Sequence, residues 1–153
     1  MRSHLRPLVT ALALLTGLGL TACGGEAPLA AVEAIPSDHL EVVRGDKRVA
    51  DTTVDHLREL EAVTALRGES SLRGAQLTTV LADLKIDRGE VEAIEAIGAD
   101  GYSVRLDAAL IDGAIVVYAD GDAPLPAHLG PLRLLTDSRA KSVRNLRRLV
   151  LNP

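Results

Sequence analysis

Apolar positions along this chain change their period several times, and each change marks an element. An almost unbroken apolar run from Leu8 to Leu20 comes first. From Ser37 the pattern turns short and alternating. His39–Arg44 reads as a strand ended by the turn signal Gly45-Asp46, with Lys47–Asp51 as a short return strand. Thr52 and Thr53 then precede a helical turn that they can cap, with Leu57 and Leu60 on one face. Ala62–Leu66 is a second strand candidate, followed by a polar, glycine-bracketed loop over Arg67–Arg73. The clearest helix is expected to start near Gly74, since Leu77, Val80, Leu81 and Leu84 keep the i, i+3, i+4, i+7 spacing of one buried stripe. Ile86–Gly89 closes it.

The second half is richer in strands. Val91–Ile97 and Tyr102–Leu106 flank Gly98-Ala99-Asp100-Gly101, and the clean alternation of the latter segment predicts a hairpin. The Asp-Gly pair alone would explain that turn through the positive φ angles it tolerates. Asp107–Ile111 is expected to be a helical crossover, with Asp112-Gly113 as another turn signal. Ala114–Ala119 is apolar throughout and predicts a central strand buried on both faces. A Pro-rich loop (Ala123–Pro131), a short strand (Leu132–Leu135) and a closing strand ending at Leu151 complete the chain. There is no internal repeat, and the expected class is α+β, with a compact mixed sheet and a few short helices.

The N-terminal run carries the strongest signal. Arg2, His4 and Arg6 precede it, and its 13 residues from Leu8 to Leu20 fall short of the ~20 that a helix needs to cross a bilayer. A basic start, a short apolar core and small residues at its end are the marks of an export signal. Leu20-Thr21-Ala22-Cys23 holds the only cysteine and resembles the lipobox of bacterial lipoproteins. That resemblance implies removal of residues 1–22, acylation of Cys23 with palmitate or a similar chain, and a cell-envelope, extracytoplasmic protein, periplasmic or at the cell surface. Two or more acyl chains anchor a protein stably. Residues 23–36 then read as a lipidated tether and 37–153 as the folded domain.

Composition narrows the function. Losing residues 1–22 removes two arginines and no acid, so the 17 basic and 21 acidic residues become 15 and 21, formally −6 over 131 residues. Such a domain has no electrostatic footprint for nucleic acid. With no Phe or Trp and only two Tyr, it has no aromatic platform either. Disulfides within the monomer are excluded. His39, His56 and His128 lie in separate elements without metal-ligand spacing, so no metal site is expected. The acids Asp107, Asp112, Asp120 and Asp122 do not follow a calcium-loop pattern, and no serine sits in a nucleophile motif.

Several segments of the domain resemble, in order, the sulfite oxidase-type molybdopterin-binding fold. They are Leu72-Arg73-Gly74 with the Leu-rich stretch after it, Asp100-Gly101-Tyr102, Asp120-Gly121 ahead of Pro124-Leu125, Gly130-Pro131-Leu132-Arg133, and the basic segment from Ser142 leading to the last strand. By that resemblance Asp100 and Tyr102 lie at the site-forming end of the sheet. Arg133 and Arg144 match basic positions near the cofactor pocket, where arginine can hold a phosphate or carboxylate bidentately. The family's molybdenum-binding cysteine would fall on Ala62–Leu66, which carries Ala65 and Leu66. The resemblance therefore implies the scaffold without the metal chemistry. It points to a non-catalytic module binding an extracytoplasmic protein or a small anionic ligand. The alternatives are a molybdopterin-binding accessory of a redox system and a purely structural envelope lipoprotein without a ligand. Lys141, Arg144, Arg147 and Arg148 form a basic cluster, suited to anionic lipid headgroups or to charge protection of a strand edge.

Overall fold

The computed structural model describes residues 29–153, so the export signal and Cys23 lie outside the described residues. Ten strands form two sheets, with three short helices among them. Sheet A runs β2 (Lys47–Thr53), β1 (His39–Arg44), β10 (Leu146–Leu151), β5 (Ala93–Gly98), β6 (Ser103–Asp107). Its pairs are antiparallel except β1 with β10, which is parallel. Sheet B runs β3 (Ala62–Arg67), β4 (Ser70–Gln76), β7 (Ile115–Asp120), β8 (Ala123–Pro124), and β9 (Arg133–Leu135) also pairs with β7. The single mixed sheet expected from sequence is thus two sheets.

Between the sheets lies an aliphatic core closed by the helices. Leu40 and Val42 of β1, Ile94 of β5, Leu106 of β6, Leu149 and Leu151 of β10 and Val116 of β7 meet there. Helix α1 (Val54–Leu57) adds Leu57, α2 (Leu77–Asp83) adds Leu77, Val80 and Leu81, and α3 (Ala108–Gly113) adds Ile111. Thr53 caps α1 by accepting from His56 N at 3.3 Å, and Asp107 caps α3 by accepting from Leu110 N at 3.0 Å. A second, smaller cluster of Leu72, Val117, Leu125 and Leu135 covers the other face of sheet B. That is why β7 is apolar throughout: Val116 and Tyr118 face one cluster and Val117 the other.

Four further expectations need correction. Arg67–Arg73 is not a loop: the chain turns at Gly68 (φ +64°) and runs back as β4 through Gly74. Gly74 belongs to the sheet because the Val116 carbonyl lies where its Cβ would be, so α2 begins only at Leu77. In the β5–β6 connection only Gly101 has positive φ (+79°), and Asp100 instead accepts from Tyr102 N at 3.0 Å. Finally, Arg147 and Arg148 are not surface charges. β10 is interior to sheet A, and both side chains are buried. Arg147 donates to Ser37 O at 2.8 Å, and Arg148 donates to Glu41 Oε2 at 2.6 Å and to Ala30 O. These two arginines fasten the segment preceding β1 across sheet A.

Two predictions follow from these contacts. Glu41→Ala leaves Arg148 buried without its counter-charge and is expected to cost about 3 kcal/mol in urea unfolding. The Glu41→Ala, Arg148→Met double variant recovers much of that loss. His56 Nε2 lies 2.8 Å from Asp83 Oδ2 and its Nδ1 3.5 Å from Glu59, joining α1 to α2. The hydrogen bond to Asp83 and its charge raise the His56 pKa above the ordinary 6.5. The folded chain then holds the proton more tightly than the unfolded one. This contribution is complete below pH 6.5 and is lost as pH rises through the raised value. The thermal midpoint of Asp83→Asn, relative to the parent, should therefore lag at low pH and converge with it at alkaline pH.

Candidate functional site

The four domain residues singled out from sequence, Asp100, Tyr102, Arg133 and Arg144, line one cavity of about 620 Å³. Its volume lies in the range of small-molecule sites. Four segments build it. The β3–β4 hairpin tip supplies Arg67 and Gly68, and the β5–β6 connection supplies Asp100 and Tyr102. Strand β9 presents Arg133 and Leu135, which the two-residue period of a strand puts on one face. The chain between β9 and β10 adds Arg139, Ser142 and Arg144.

The frame is hydrogen-bonded. Tyr102 OH donates to Ala140 O at 3.1 Å, joining the β5–β6 connection to the segment after β9. Thr136 Oγ1 donates to Ser138 O at 2.7 Å, and Thr136 N donates to Ser142 Oγ at 3.3 Å. Gly98 permits the closest approach: a Cβ there would sit 2.6 Å from Arg144 O. Ala99 N donates to Asn145 O at 2.9 Å across the same contact. Arg144 is thus set by backbone packing, although its side chain is exposed.

Electrostatically the cavity is lopsided. Four guanidiniums face it against one carboxylate, Asp100. Arg67 Nη2 donates to Thr136 O at 2.8 Å. Arg133 is the telling member: its Nε is buried and has no hydrogen-bond partner. Burial first, and then the charges of Arg144 and Arg67, hold the Arg133 pKa below that of an ordinary guanidinium. An unmet donor among like charges is chemically suited to an anion, since guanidinium pairs carboxylate or phosphate oxygens with two parallel bonds. A smaller recess of about 300 Å³ also holds two arginines, but its Arg58 is already bound to Asp55 at 3.1 Å.

The cavity offers no sulfur ligand. Ala65 packs against the second apolar cluster and Leu66 is 77% exposed, so the strand end that the resemblance equates with a thiolate has none. These residues do not fit a molybdenum centre, which wants soft donors, whereas the arginines do fit a phosphate. Among the described residues no group of three or more His, Cys, Asp or Glu is placed to hold a metal ion. Nor, among them, is any helix long and apolar enough to cross a membrane.

Sequence reasoning missed Arg67, Arg139 and Ser142. Arg67 was assigned to a loop, and only the pairing of β3 with β4 and of β4 with β7 brings it to β9. Strand–glycine punctuation at Arg67-Gly68 was the one local signal available. No protein-family model matches the sequence, and no curated protein matches it significantly.

Arg133→Met should stabilise the domain slightly in buffer free of multivalent anions, because a half-buried charge, whose repulsion by Arg144 and Arg67 solvent screens in part, is replaced by an apolar side chain of similar reach. Thermal unfolding with added pyrophosphate checks the cause: the parent's midpoint is expected to rise, and the variant's to rise less at the same pyrophosphate concentration.

Proposed function

We propose that this protein is an extracytoplasmic lipoprotein, anchored through lipid on Cys23, whose domain is a non-catalytic binding module for an anionic group. The single observation carrying the binding half is the buried, unpartnered Arg133 Nε beside Arg67 and Arg144 in the 620 Å³ cavity. A buried donor left unmet costs about 1–3 kcal/mol, and a bound oxyanion would remove that cost while relieving the repulsion. The lining lacks a nucleophile–base pair, which favours binding over turnover. The anchoring half rests on the sequence Leu20-Thr21-Ala22-Cys23.

On this reading Asp100 has a second use. Its Oδ1 is engaged with Tyr102 N, while the side chain as a whole borders the cavity, so a ligand pairing an anionic group with a nearby hydroxyl or amine is preferred. The alternative reading, an accessory that holds a phosphate-bearing pterin without molybdenum on a sulfite oxidase-like scaffold, draws on the same arginines. Pterin fluorescence of the natively exported protein separates the two: a stoichiometric signal would replace the first reading with the second.

Titration calorimetry with pyrophosphate at low ionic strength tests the site. The parent should bind saturably at one site, and the Arg133→Ala, Arg144→Ala double variant should lose roughly a hundredfold in affinity, at about tenfold per charged hydrogen bond. Equal affinity in both would remove the cavity from the account. Palmitate labelling of growing cells tests the anchor, with incorporation expected in the parent and absent from Cys23→Ser.

A further inference from the structure

Beside the cavity lies an open strand edge. Of the strands that end the sheets, most are guarded. β2 carries Lys47, Arg48 and Asp51, and a bulge breaks its register with β1. β6 carries Arg105 and Asp107, with Lys141 Nζ donating to Arg105 O at 3.3 Å and Arg105 donating to Pro153 O at 3.0 Å. β8 is two residues long and contains Pro124. Charge, bulges, shortness and proline are the devices that keep a sheet edge from pairing with another chain.

β3 has none of them until its last residue, Arg67. Ala62-Val63-Thr64-Ala65-Leu66 holds no charge, proline or glycine, and it pairs in unbroken register with β4 alone. Alternate backbone N–H and C=O groups of such a strand point away from the sheet. Small side chains leave them approachable, and Leu66 is 77% exposed. Glu61 immediately precedes the strand and Arg67, a wall of the arginine cavity, ends it. Its two ends therefore differ in sign.

We propose that β3 is the docking edge for an extended acidic peptide of a partner protein, which adds to sheet B as a further strand and delivers its carboxylates to the arginine cavity. The proposal rests on reading that cavity as an anion site and names its occupant. Main-chain pairing would supply affinity, as in other strand-addition complexes, and Arg67, Arg133 and Arg144 would supply specificity. The acid belongs at the Arg67 end, because Glu61 repels it from the other. A parallel peptide carries that acid at its C-terminal side and an antiparallel one at its N-terminal side.

The test uses the exported chain carrying Cys23→Ser and dye-labelled peptides of alternating valine and threonine, with paired glutamates at either end or none. Fluorescence anisotropy should show binding of one acid-ended peptide and weaker binding of the uncharged one. N-methylation of alternate residues in the bound peptide should weaken binding by roughly tenfold or more, and methylation of the intervening residues should leave it intact. Arg67→Gln should erase the preference for acid over uncharged peptide. Methylation effects without the two-residue period overturn the strand-addition proposal. Pyrophosphate binding without peptide binding overturns it too, while leaving the cavity reading in place; failure of both ligands sinks both. Concentration-dependent dimerisation that Leu66→Lys abolishes would give the edge to a second copy of the chain and overturn the proposal likewise.

Discussion

A guanidinium nitrogen drawn out of water needs an acceptor, and the Nε of half-buried Arg133 has none in the protein. Its neighbours are cations; burial first, and then the charges of Arg144 and Arg67, lower its pKa. A protein tolerates that arrangement only when the rest of the fold imposes it. Here the imposition is topological: β9 is held against β7, β3 reaches it through β4, and Arg144 is pressed against Gly98 of the neighbouring sheet. The backbones that carry these cations cannot separate without breaking sheet pairing or the Gly98 contact. On the proposed reading, a bound anion would relieve that repulsion.

The other arginines show the opposite solution. Arg148 is at least as buried as Arg133, yet it meets Glu41 and a backbone carbonyl, and Arg147 meets Ser37. Those two act as fasteners for the segment leading into β1. Arg147 and Arg148 are thus engaged with protein oxygens, whereas Arg133 Nε is not. With an aliphatic core and no aromatic ring larger than tyrosine, polar fastening of this sort ties down a segment whose apolar side chains bury little.

Much of the architecture was legible where local chemistry and tertiary context agreed. The first strand, the Thr53 cap, the β5–β6 hairpin and the apolar β7 all followed from alternation and turn residues. β4 was hidden because Gly74 breaks a strand pattern as readily as it opens a helix, and only the backbone of β7 explains it. The two-sheet division was equally invisible, since it depends on which strands pair. For the site, Asp100, Tyr102, Arg133 and Arg144 came from a family resemblance and do share a cavity. Arg67 and Arg139 could not be found that way, because long-range pairing rather than any local motif brings them in. Arg147 and Arg148 misled for the complementary reason: charge read along a sequence says nothing about whether a strand is interior.

The most direct measurement is a nitrogen–proton spectrum of the arginine Nε–H groups during titration with pyrophosphate. The account expects Arg133 to move saturably toward a strongly hydrogen-bonded position, with Arg144 following and Arg148 fixed against Glu41. A uniform drift of all arginines, or an Arg133 signal that stays still while others move, would contradict the claim that its unmet donor is what the cavity is built around.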